Sequence, residues 1–176
     1  MEDQEIQAPK TRKFSINYGL LLGGINIVFA IMLAVMELHY QRDISQQIIG
    51  VVILAAVIGI AIYQFKKANA SFLSLGQAIK IGLGVALIAS LMIIVYSIIY
   101  TSFIEPEFYD KFFEQLRPQI AEQNPSLTTE QIDNVIQTQR QFAWIGYPVI
   151  LIINLIIALI ISLIVGLIMK KDKSDY

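Results

Sequence analysis

The sequence predicts an all-α, polytopic membrane protein of four transmembrane helices, and three observations carry that reading. Hydrophobic residues make up 56% and charged residues 15% of the 176 residues, against roughly 45–50% and 25% in soluble proteins. The apolar excess is gathered into four blocks, each supplying the about 20 helical residues that cross a hydrocarbon core of about 30 Å. Charges, tryptophan and tyrosine collect at the ends of those blocks, as they do at a membrane boundary.

Residues 1–13 read as a polar, cytoplasmic tail. The first span, 14–36, carries no charge, and only Ser15, Asn17 and Asn26 as polar side chains. It is longer than a signal-peptide core and is expected to be retained. A turn over 37–43 leads into the second span, 44–65, with Gln46, Gln47 and Gln64 confined to its ends. Ser74 followed by Gln77 has the spacing of a capping box and opens the third span, 76–104. At 1.5 Å per residue that span is about 43 Å long and must tilt or project.

Residues 105–141 form the one sizeable non-membrane region. Phe108, Phe112 and Leu116, with Tyr109 and Phe113 beside them, recur at helical spacing. Pro106 suits the opening of that helix, which is expected to lie over the bundle as a short extracytoplasmic cap. Pro118 is expected to interrupt it. Thr128 with Gln131 is a second capping box, opening a helix whose apolar face is Ile132, Val135 and Ile136. The fourth span, 142–169, is bounded by Trp144, Tyr147 and Pro148 on one side and by Lys170 and Lys171 on the other. Residues 171–176 form a second cytoplasmic tail.

Lysine and arginine resist translocation and gather on the cytoplasmic side. Lys10, Arg12, Lys13, Lys66, Lys67, Lys80, Lys170, Lys171 and Lys173 collect at one face. Arg42, Lys111, Arg117 and Arg140 stand at the other, diluted by nine acids. Nine against four predicts both termini in the cytoplasm and residues 105–141 outside.

Spans associate through close approach of small residues, because lipid is as apolar as leucine. Gly19 and Gly23 form such a pair in the first span. Ala78, Gly82, Ala86 and Ser90 make a four-residue stripe in the third, and Asn154, Ala158, Ser162 and Gly166 make one in the fourth. These read as helix–helix seams, with Ser90, Asn154 and Ser162 as the residues that would line a polar path if one existed. Asn17, Asn26 and Asn154 are expected to hydrogen-bond between helices.

Lys80 is the only charge within a span. Such charges mark functional sites by default, but its place near the helix start lets it snorkel to the head groups. Glu37 and His39 could form a proton-sensitive pair, although neighbours two apart do not face each other on a helix. There are no cysteines and one histidine, so thiolate chemistry is excluded and no histidine cluster for a metal exists. The net charge of −1 gives no sign of a nucleic-acid partner. No cofactor is expected.

Lys67-Ala68-Asn69, Ser71-Phe72 and Ser74-Leu75-Gly76-Gln77-Ala78-Ile79-Lys80, then Gly82, are followed a span later by Phe103-Ile104-Glu105-Pro106-Glu107-Phe108. With Asn17-Tyr18-Gly19 and Gly23 in the first span, this pattern resembles domain-of-unknown-function family 4199. The resemblance covers about residues 12–170. It implies a small four-helix bacterial inner-membrane protein, of a kind seen mainly in Bacteroidetes, and no catalytic residue.

No nucleophile, base and orienting group can be placed together, so an enzyme is not expected. The leading reading is an interaction, scaffold or accessory component of the membrane, its partners being the bilayer and a second copy or another membrane protein. The alternative is a subunit of a small oligomeric transporter or channel, built around Ser90, Asn154 or Lys80.

Overall fold

The computed structural model describes residues 9–40 and 43–171. Arg42 and Lys173, which enter the charge argument above, lie outside them, as do residues 1–8 and 172–176. The described chain is helical: α1 (Thr11–Val35), α2 (Ile44–Ala68), α3 (Leu75–Ile99), α4 (Phe108–Gln123), α5 (Thr129–Gln141) and α6 (Gly146–Met169). A π turn, Tyr100–Ile104, extends α3, and a 3-10 turn, Ala143–Ile145, precedes α6. Four helical stretches are long and apolar enough to cross a membrane: Thr11–Val35, Ile44–Ala68, Leu75–Ile104 and Ala143–Met169.

The helix ends follow from local chemistry. Ser74 and Gln77 form the full capping box of α3, and Thr128 and Gln131 that of α5. The Asp43 carboxylate caps α2 by accepting from the Ser45 N–H at 2.8 Å. The turn after α1 satisfies the last carbonyls through Glu37 N–H to Ala34 and Leu38 N–H to Leu33. Glu37 occupies the left-handed region there, at φ 58°, where glycine is the usual occupant. The cost is accepted at a turn that aims His39 and Tyr40 back over the bundle.

α3 is the central helix and packs against α1, α2 and α6. Its small-residue stripe meets that of α6 in antiparallel register. A Cβ on Gly166 would meet that of Ala78 at 2.9 Å, one on Gly82 would overlap the Ser162 side chain, and Asn154 donates to Ser90 Oγ at 3.1 Å. Ala86 and Ala158, midway along, are both buried. α1 approaches the other side chains of α3 just as closely. A Cβ on Gly19 would meet Ile88 at 2.7 Å, one on Gly23 would overlap Met92, and one on Gly84 would meet Ser15. The core filled by these contacts holds Leu22, Ile58, Ile62, Phe65, Ile81 and Val85.

At the terminal end of the bundle, Leu73 and Lys171 exchange two backbone hydrogen bonds of 3.0 Å. Lys171 Nζ also lies 5.7 Å from the Phe72 ring centroid. The α2–α3 connection and the end of α6 are thus joined, and Ser15 near the start of α1 reaches the Ile81 carbonyl beside them. Lys80 is exposed on the second turn of α3.

At the opposite, hairpin end, α4 and α5 form an antiparallel pair. Phe113, Ile132 and Ile136 are its buried centre, with Phe112, Leu116 and Ile120 packed around them. The apolar stripe expected to cover the bundle is therefore spent largely on α5, and Phe108 and Tyr109 reach the spans. Pro118 does not interrupt α4, which runs through it to Gln123. The proline is exposed, so its missing hydrogen bond falls on the solvent side, while Ile120 and Ala121 beyond it still pack in the hairpin. Pro106 is not helical either. It sits in a turn closed by Phe108 N–H to the Glu105 carbonyl at 3.0 Å, where its fixed φ serves as well as at a helix start.

Candidate functional site at the hairpin end

Glu105 is the hub of the polar cluster at this end. It follows the π turn, whose wider ring closes with Glu105 N–H donating to the Tyr100 carbonyl at 2.8 Å. The extra residue per turn brings positions five apart onto one face, and the Tyr100 hydroxyl donates back to Glu105 Oε2 at 2.9 Å. Two residues are thereby joined through both backbone and side chain.

Three further donors converge from elsewhere in the chain. Lys111 Nζ, one turn into α4, donates to Oε1 at 2.8 Å. The Tyr40 hydroxyl donates to the same oxygen. His39 Nε2 lies 3.1 Å from Oε2, and since a carboxylate only accepts, that nitrogen carries the proton. Its other nitrogen, Nδ1, is buried with no hydrogen-bond partner among the described residues.

Burial alone would push the Glu105 carboxyl up. The bonds from Lys111, Tyr40, His39 and Tyr100 outweigh it and hold the group at about 2. Burial, then the Glu105 carboxylate, raise the Tyr40 hydroxyl, and the Glu105 hydrogen bond raises Lys111. Tyr40 is thus held neutral and Lys111 charged at neutral pH. A carboxylate with four donors has little capacity left to act as a base, so the cluster fits a structural junction better than a reacting centre.

Aromatic rings wall the junction. Phe108 stacks on His39 and Tyr40, each at 5.7 Å between centroids, and meets Tyr100 edge-on at 6.2 Å. Tyr109 and Tyr147 hydroxyls lie 3.0 Å apart and tie α4 to α6. Arg140 near the end of α5 pairs with Asp110 of α4. The α1–α2 turn, the end of α3, the hairpin and the start of α6 therefore meet at one place. Among the described residues, no group of three or more His, Asp or Glu side chains is placed to hold a metal ion.

A family comparison covers nearly the whole of this arrangement. The family described as Protein of unknown function (DUF4199) matches residues 17–171. The chain belongs to that family. No curated protein and no solved structure matches it.

The DUF4199 match takes in the candidate packing and functional positions from Asn17 to Ser162. Gly19, Gly23, Gly82, Ala86, Ser90, Ala158 and Ser162 lie in the helix seams, and Asn154 donates across one of them. Asn17 does not join them: it is exposed on the second turn of α1, on the face turned away from α3. Asn26 is half-buried, and of the three asparagines only Asn154 makes an interhelical side-chain bond among the described residues. His39 pairs with Glu105 rather than Glu37, which is exposed at the turn. Glu105 and Pro106 stand at the junction itself. The roles of Tyr40, Tyr100 and Lys111 there escape a sequence reading. Their only local signal is that the tyrosines fall at one boundary and Lys111 lies within reach of Glu105 along the chain.

Proposed function

We propose that the protein is a non-enzymatic integral membrane component that acts as an interaction, scaffold or accessory subunit. In this reading it sits in the cytoplasmic (inner) membrane of a bacterium. Both termini face the cytoplasm, and the α4–α5 hairpin faces outward as the surface offered to partners.

The observation that supports this most is the closed α3–α6 seam. A transporter subunit would need a polar path, and the candidates were Ser90, Asn154, Ser162 and Lys80. Ser90 and Asn154 bond to each other, Ser162 donates to the Ala158 carbonyl of its own helix, and Lys80 stands exposed near one end. The three polar groups are consumed within one copy and are not left to line a pore between copies, and the exposed Lys80, near the end of its helix, lies outside that seam. The charged groups of the hairpin instead face solvent, with Glu107, Glu114, Glu122 and Glu130 all exposed.

Reconstitution in liposomes tests the reading. Ion and small-solute flux should equal that of empty vesicles, whereas flux above that level would replace the accessory role with transport. In native membranes, a photo-crosslinker at Glu122 should trap a defined neighbour. Its position on the hairpin should give stronger crosslinking than one at Val28 on the lipid-facing side of α1.

A further inference from the structure

Beside the Glu105 junction, α1, α3, α4 and α6 wall a cavity of about 250 Å³. Its sides include Ala30 and Ala34 of α1, Tyr96 and Ser97 of α3, Phe108 of α4 and Tyr147 of α6. The two alanines leave the space that a larger residue would fill. Tyr96 and Ser97 bring hydroxyl groups that make no hydrogen bond among the described residues. Tyr100, by contrast, has its hydrogen committed to Glu105.

Depth narrows the occupant. The stretch Leu75–Ile104 has 30 residues, about 45 Å at 1.5 Å per residue, against a hydrocarbon core of about 30 Å. Ser97 lies about 10 Å short of its end, which is where hydrocarbon gives way to the carbonyl layer. Water is scarce at that depth, and two free donors are best met by a carbonyl oxygen. An anion is disfavoured by the neighbouring Glu105 carboxylate, whose positive partner, Lys111, is turned outward and half exposed.

We propose that this cavity binds one neutral, carbonyl-bearing lipophile entering from the bilayer. Its oxygen accepts from Tyr96 and Ser97, and its apolar body lies against Ala30, Ala34 and Phe108. An apolar cavity of about 150 Å³ takes benzene. The larger space here suits a substituted ring or an ester with its adjoining methylenes, the rest of any tail remaining in the lipid. A ring ketone of a quinone and an ester of a glycerolipid both carry this chemistry.

Thermal melting of the delipidated, detergent-purified full chain tests the proposal. The probes are a short-tailed naphthoquinone, a short-chain diacyl phosphatidylcholine, and a hydrocarbon of matched size as control. A saturable rise in melting temperature is expected with the quinone or the phospholipid, whichever source the site takes, and not with the hydrocarbon. Tyr96→Phe should weaken that response about fivefold, the loss of one hydrogen bond, and Ala34→Leu should abolish it by filling the space. If Ala34→Leu does not fold, the double variant Tyr96→Phe with Ser97→Ala decides instead. The proposal is overturned if neither carbonyl probe saturates, if the hydrocarbon binds as well, or if the hydroxyl variants respond like the parent.

Discussion

Glu105 holds together parts of the chain that are more than sixty residues apart, since Tyr40 and His39 reach it from the α1–α2 turn. Its carboxyl sits at about 2 instead of its ordinary 4.5. A carboxyl whose folded value is depressed adds stability above its unfolded value and loses that stability as pH falls through the folded one. The hairpin end should therefore loosen between about pH 4.5 and 2, the two values that bound the shift. Melting in detergent across that range should show a falling midpoint for the parent. Glu105→Gln should start lower at neutral pH and show a flatter profile, because the amide cannot carry the charge that Lys111 and the tyrosines serve. Parallel profiles for the two proteins would remove Glu105 from its central place.

At the scale of elements, two contacts decide the shape. The α3–α6 seam has no room at Gly82, where an added Cβ would overlap Ser162. Gly82→Ala should cost about 1–3 kcal/mol by overpacking. In a Ser162→Gly background the same change should cost clearly less, since neighbours in contact are non-additive. Equal costs in both backgrounds would mean that the helices do not meet there. The hairpin rests on Phe113 against Ile132 and Ile136. Phe113→Ala should free α5 from α4, seen as faster amide exchange over residues 108–116 and 129–141 with the spans unchanged. In the parent, amides of residues 108–116 should exchange more slowly than those around Asn124, which lies in the exposed turn between the two helices.

For the whole molecule, the described ends of α1 and α6 and the α2–α3 connection share one end of the bundle, joined through Leu73 and Lys171. Four spans require as much. The charge asymmetry is the ground for proposing that this end faces the cytoplasm. A reporter fused after Lys173 should be active only in the cytoplasm, and one inserted near Asn124 only outside. The reverse pattern would invert the proposed orientation and move the hairpin to the inner face.

The sequence alone determined the four spans, both capping boxes and the small-residue stripes. Each of these is local. A run of some twenty apolar residues has no other stable solvent than lipid, a Ser-x-x-Gln spacing closes within one turn, and a four-residue repeat is one helix face. Tertiary structure decided which stripe meets which, so that Asn154 found Ser90 while Asn17 was left at the surface. It also decided that α4 should bury its stripe on α5, and that Pro118 could stay within a helix whose packing lies on its other side. Above all it built the junction at Glu105. Tyr40, His39 and Lys111 converge there because an antiparallel bundle sets the α1–α2 turn beside the end of α3. A π turn then rotates Tyr100 and Glu105 onto one face, which a uniform α-helical period does not do.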